Sequence, residues 1–124
     1  MDVSKTQGLW LLPSRGRART NLKQFFAAAK ATGMSTPVAV LVDGEDYAEN
    51  HEAYDDLDMP AGSFVHIVNA DCCAEATERG YHELCEDLDW IGWIADDLVP
   101  ETPGWDVKCI EALTGWNFVT TDDG

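Results

Sequence analysis

Two short apolar runs without polar alternation, Gly8 to Leu12 (GLWLL) and Thr36 to Val42 (TPVAVLV), open the pattern of this chain. Such runs mark strands covered on both faces, and the first stops at Pro13, the second at Asp43 and Gly44. Between them Leu22, Phe25, Phe26 and Ala29 fall on one helical stripe. They predict a helix from about Leu22 to Thr32, capped by Thr20 or Asn21 and stopped by Gly33. A third strand is expected at Ser63 to Val68 (SFVHIV), and a crossover helix with an acidic outer face at Glu75 to Leu88, through Ala76, Tyr81, Leu84, Cys85 and Leu88. Trp90, Ile91, Trp93 and Ile94 read as a fourth, buried strand ending on Asp96 and Asp97. The following PETPGW cannot continue it, because proline lacks a ladder donor and restricts the residue before it.

Trp105 to Leu113 predicts a short helix with Val107, Ile110 and Leu113 inward and Gly115 at its end, and Asn117 to Thr121 a last strand. Glu45 to Gly62 is acid-rich, with Tyr47, Tyr54, Pro60 and Gly62, and reads as a loop with one helical turn around Glu49 to Asp56. Strands alternating with helices argue for an α/β fold, a mostly parallel sheet with helices on both faces. In that arrangement loops at the strands' C-terminal ends share one rim, where ligands bind. That rim carries PSRGR after strand one, DGED after strand two and ADDL after strand four.

Composition changes what this rim can hold. At 124 residues the chain is expected to form one domain, residues 1–124. Its net charge of −15 disfavours nucleic acid and anionic lipid as partners. An anion bound here needs local cations, and Arg15, Arg17 and Arg19 cluster in a chain with only 8 Lys plus Arg. Arginines fit phosphates, Asp43 can accept hydrogen bonds from a base or ribose, and Asp96 with Asp97 can hold a hard cation. Together they describe a nucleotide diphosphate with Mg²⁺ or Mn²⁺. The plainer reading, solvated turn acids and an ion-paired arginine face, stands beside it.

No GxGxxG follows strand one and no GxxxxGK[ST] occurs, which disfavours a dinucleotide enzyme or a P-loop NTPase. A receiver domain would need its acid pair where Pro13, Ser14 and Arg15 stand. No membrane span or secretory leader is expected, so a cytoplasmic protein is the default. Cys72, Cys73, Cys85 and Cys109 match no common zinc spacing and are expected to be free thiols. His51, His66 and His82 have no spaced partners.

With LLPSRGR, VLVDGEDYAENHEAY and IADDLVPETPGWD, residues 8 to 124 resemble a GT-A glycosyltransferase of the family-2 type. The resemblance implies a Rossmann-like three-layer α/β/α fold and a metal-dependent transferase acting on a nucleotide-diphosphate sugar. By position, Pro13, Ser14, Arg15 and Arg17 would line the nucleotide, Asp43 its base or ribose, and Asp96 and Asp97 the ribose and the Mn²⁺ or Mg²⁺. Ala95 stands where the motif's first acid is expected. The acceptor-binding half and its catalytic base are not expected in this chain, and Asp122 and Asp123 are candidates by rim position only. The alternative expectation is a non-catalytic nucleotide-binding or self-assembling module, with apolar surface covered in a homo-oligomer.

Overall fold

A computed structural model describes residues 2–113. The expected helix end at Gly115, the strand Asn117 to Thr121 and the acids Asp122 and Asp123 lie outside the described residues. Four strands, β1 (Gly8–Pro13), β2 (Val38–Val42), β3 (Phe64–Ile67) and β4 (Trp90–Trp93), form one sheet of order β3-β2-β1-β4 in which every pairing is parallel. Helices α1 (Lys23–Ala31), α2 (Gly44–Asp55), α3 (Cys73–Leu84) and α4 (Trp105–Glu111) cover it. The fold is therefore a Rossmann-like three-layer α/β/α arrangement.

The chain steps from β1 to β2 to β3 in one direction, then crosses back past β1 to β4. Right-handed crossovers send helices on outward and returning steps to opposite faces. The core divides accordingly. Trp10, Leu12, Val38, Val40 and Val42 pack with Phe25 and Phe26 of α1, Tyr54 of α2 and Trp105 and Ile110 of α4. On the other face Leu9, Leu11, Ala39 and Leu41 pack towards α3. There Gly80 lets the helix approach closely, since a Cβ at that position would lie 2.7 Å from Leu41 Cδ1.

A second close fit joins β1 to β4. Gly8 is in register with Trp90 and Trp10 with Gly92, so each strand sets an indole against the other's glycine. A Cβ on Gly8 would lie 1.9 Å from Trp90 Cε2, and one on Gly92 2.0 Å from Trp10 Cε3. The two rings meet at a centroid distance of 5.6 Å, and Trp10 meets Trp105 at 5.3 Å.

Three elements depart from expectation. Thr20 and Asn21 do not cap α1, because a π-helical turn, Ala18–Leu22, precedes it and carries both residues. The acid-rich segment after β2 is not a loop but the 12-residue α2, capped by the Asp43 carboxylate on the Glu45 N–H at 3.2 Å. Finally, β4 is an edge strand of the described sheet rather than a buried one. Its Trp90 is buried, but Ile91 is 38% and Trp93 60% exposed on the α3 face.

Candidate functional site at the strand C-terminal rim

The loop after β1 is shaped by backbone first. Pro13 is the last residue paired with β2, and the Ser14 N–H extends the ladder to Leu41 O at 3.0 Å. Gly16 then takes φ +69°, the left-handed conformation that glycine adopts without steric cost, and turns the chain into the π-helical turn. Arg15 and Arg17 flank that turn and go to different strand ends. Arg15 Nη2 donates to Asp43 Oδ2 at 3.0 Å and to Ala70 O at 3.2 Å, tying the β1 loop to the ends of β2 and β3. Arg17 Nη1 donates to Asp96 Oδ1 at 2.9 Å, and Ser14 Oγ donates to Asp96 Oδ2 at 3.1 Å.

The second group has a topological meaning. Where strand order reverses, between β1 and β4, the two following loops diverge and leave the crevice in which open α/β sheets bind ligands. Ser14, Arg17 and Asp96 meet there. The first group lies between β1 and β2, beside a small cleft of about 100 Å³ lined by Pro13, Ser14, Arg15, Asp43 and the start of α3 at Cys72 and Cys73. That cleft has room for a group the size of a phosphate. Anything longer must run along the open rim.

The rim residues named from sequence are thus assembled, with one division. Asp96 turns inward, its side chain 12% exposed and both oxygens engaged, whereas Asp97 is exposed and has no hydrogen-bond or ion-pair partner among the described residues. Adjacent carboxylates therefore cannot act as one chelating pair without Asp96 releasing Arg17. Among the described residues no group of three potential metal-ligating side chains gathers. Mg²⁺, however, is usually held by one or two carboxylates with substrate phosphates and waters. With Asp96 occupied by Ser14 and Arg17, only Asp97 offers carboxylate oxygens that no described residue engages.

Beneath the arginines lies a centre that the sequence reading missed. Asp46, 9% exposed in the first turn of α2, accepts the Gly16 N–H at 2.8 Å on Oδ2 and Asn50 Nδ2 at 2.9 Å on Oδ1, and Tyr54 Oη donates to Oδ2. Arg19, from the π-helical turn, donates in turn to Asn50 Oδ1 at 2.6 Å. Asn50 departs from helical φ/ψ and kinks α2 while its amide bonds back to Asp46. Burial by itself would raise the Asp46 carboxyl, but the Gly16, Tyr54 and Asn50 hydrogen bonds and the charge of Arg15 hold it below the ordinary range. Burial first, then the neighbouring carboxylate, push the Tyr54 phenol well up. One sequence signal was present: Asp43 with acids at Glu45 and Asp46 is a helix N-terminus pattern.

The PETPGWD segment also proves to be a structural clasp. Gly104, at φ +68°, donates its N–H to Thr32 O at 2.8 Å and starts α4. Asp106 is wholly buried and its Oδ2 accepts from the N–H groups of Ser35 and Thr36 at 3.0 Å each and from Thr36 Oγ1 at 2.6 Å. Trp105 stacks in the core.

A roomier groove of about 720 Å³ lies between α1 and α2, away from the strand ends. Its lining charges balance, Arg19, Lys23 and Lys30 against Glu52, Asp56 and Asp58, with Lys30 and Asp58 paired at 2.6 Å, so it offers no concentrated charge for an anion. Cys72, Cys73 and Cys85 are free thiols, and no helix among the described residues is long and apolar enough to cross a membrane. No family model matches the chain, and no curated protein matches it either.

Proposed function

We propose that this protein is a GT-A-like glycosyltransferase that binds a nucleotide-diphosphate sugar through a divalent cation and transfers, or slowly hydrolyses, the sugar. The observation that carries the reading is the meeting of Ser14 and Arg17 with Asp96 at the switch point between β1 and β4. Arg17 is the phosphate ligand at the switch point, Arg15 a second cation across the Gly16 turn, and Asp43 the acceptor for base or ribose. In the free protein each arginine rests on an acid of the same rim, so the diphosphate replaces Asp43 and Asp96 as their partners. Asp96, once released, can meet ribose. Asp97, exposed and unpaired among the described residues, would hold the Mn²⁺ or Mg²⁺, which supplies neutralisation of the diphosphate charge. The arginines stabilise charge developing on the leaving nucleotide diphosphate. No residue is assigned as the base on an acceptor.

Calorimetric titration with UDP, GDP and their sugars, with and without Mn²⁺, tests the reading. Binding in roughly the micromolar to millimolar range, tightened by Mn²⁺ and lost in Arg17→Ala, is expected. Absence of metal-dependent binding for every one of them ends it.

A second reading, a self-assembling module without transferase activity, draws support from Ile91 and Trp93. They leave an apolar strip on edge strand β4 that no described helix covers. Concentration-dependent sedimentation that Trp93→Glu abolishes is its expected result, and a monodisperse monomer rules it out.

A further inference from the structure

We propose that Asp46 is the positioning residue of the rim: its carboxylate holds the Gly16 peptide in the left-handed turn that sends Arg15 and Arg17 to the ends of different strands. It thereby sets the anion-binding geometry without touching the anion.

The position of Asp46 makes the assignment. With Asp43 as the N-cap of α2, Asp46 is the third helical residue, where an acid ordinarily reaches back to its own N-cap. Here it reaches across to a peptide 30 residues away in sequence. Its other partners lie one and two helical turns on, along the same face of α2: Asn50 on Oδ1, Tyr54 on Oδ2 beside Gly16. A carboxylate with both oxygens engaged and its surroundings buried has one orientation, and a rigid acceptor fixes the N–H it receives. A Cβ at Gly16 would meet nothing within 4 Å, so no steric contact there holds the turn. The arginines on either side are half-exposed and end on different acids, Asp43 and Asp96. Their different directions are set by the turn between them, and the turn by Asp46.

The anion part rests on the nucleotide reading above, so the experiment separates the two. Amide exchange and the ¹H–¹⁵N shift of Gly16 are recorded in the wild type, Asp46→Asn and Asp46→Ala, together with calorimetric affinity for UDP and GDP in the presence of Mn²⁺. Asn keeps an oxygen that can accept from Gly16 and Tyr54, whereas Ala keeps none. The expected result is a protected Gly16 amide in the wild type and Asp46→Asn, with Kd within about threefold. In Asp46→Ala the protection is lost and affinity falls at least about tenfold, a loss of transition from one ordered turn to many. A folded Asp46→Ala that keeps Gly16 protection, or binds as the wild type does, overturns the proposal. If Asp46→Ala does not fold, Gly16→Ala replaces it, because it strains only the backbone. A fall of about fivefold or more is expected there, and unchanged affinity overturns the proposal. If the wild type binds neither nucleotide, the transferase reading fails, while Gly16 protection still decides the role of Asp46.

Discussion

Replacing Asp106 by alanine removes the acceptor that ties α4 to the connection between α1 and β2. Three donors end on its Oδ2: the Ser35 N–H, the Thr36 N–H and the Thr36 hydroxyl, which in turn accepts Trp10 Nε1 at 2.7 Å. Ser35 is exposed and its N–H can turn to water, but the two Thr36 donors are buried and lose a charged acceptor. At about 1.5 kcal/mol for each of those two, the low end for hydrogen bonds to charged groups, Asp106→Ala is expected to lose on the order of 3 kcal/mol. Asp106→Asn keeps an oxygen in the same place. Its amide nitrogen falls where Oδ1 now sits buried with no partner among the described residues, which adds one donor lacking a described acceptor while removing a buried charge. The expected loss is about 1 kcal/mol. Urea unfolding followed by tryptophan fluorescence should lower the midpoint by about 1–2 M for Asp106→Ala and by less than half of that for Asp106→Asn. Equal losses for the two variants, or an Asp106→Ala within about 0.5 kcal/mol of the wild type, would refute the acceptor as the cause.

Gly92→Ala puts a Cβ 2.0 Å from a Trp10 ring that Trp90, Trp105 and the Thr36 bond hold in place. A loss on the order of 3 kcal/mol is expected, about 10 °C in Tm, and a Tm unchanged within about 2 °C contradicts the reciprocal indole–glycine fit. Because the Asp46 carboxyl is held below its ordinary 3.8, its contribution is present above that value and is lost as the pH falls through the folded pKa. Urea midpoints taken from roughly pH 5 down to pH 2 should fall less steeply in Asp46→Asn than in the wild type, and parallel curves count against it. The Tyr54 phenol is raised above its ordinary 10.0, so its contribution is full below that pH and fades as the solution becomes more alkaline. Tyr54→Phe should remove that alkaline loss, read from the same unfolding measurement.

How much of this was legible in the sequence depended on whether burial left an apolar trace. β1 and β2 did so at once, because both faces of GLWLL and VAVLV are covered and every position of β2 is buried. The arginine loop and the strand-end acids were legible as well, since scarce cations in an acidic chain stand out. α2 was not. Its inner face carries Asp46, Asn50 and Tyr54: Asp46 accepts the Gly16 N–H of another loop, Asn50 and Tyr54 donate to Asp46, and of the three only Tyr54 enters the apolar core, so no apolar stripe marks the helix. β4 misled in the opposite sense: its indoles and isoleucine suggested a covered strand, yet Trp93 is exposed and the burial of Trp90 depends on a glycine eighty-two positions away in sequence. PETPGWD was legible only as a break after the strand, and Asp106 turned out to serve a pairing with residues 35 and 36 that no local pattern encodes.

The contacts in the rim differ in strength in a way that suits exchange of partners. Arg15 is held to Asp43 by a pair whose members are 63% and 26% exposed, of a kind that contributes from nothing to about 1 kcal/mol, whereas Arg17 rests on an Asp96 that is only 12% exposed and also accepts from Ser14. On the proposed reading, a diphosphate offering bidentate oxygens would take over each guanidinium, with Asp96 passing to ribose as Arg17 leaves it. The Gly16 turn is fixed by a buried carboxylate with both oxygens satisfied, and burial makes the loss of such a bond expensive. The groups that would touch ligand are therefore free to leave their resting partners, while the peptide that aims them stays fixed. That combination reduces the ordering cost on binding, because only side-chain termini have to rearrange. It also explains how the arginines can be self-paired in the free protein without closing the site: releasing them needs no movement of β1, of α2 or of the Gly16 turn hydrogen-bonded to it.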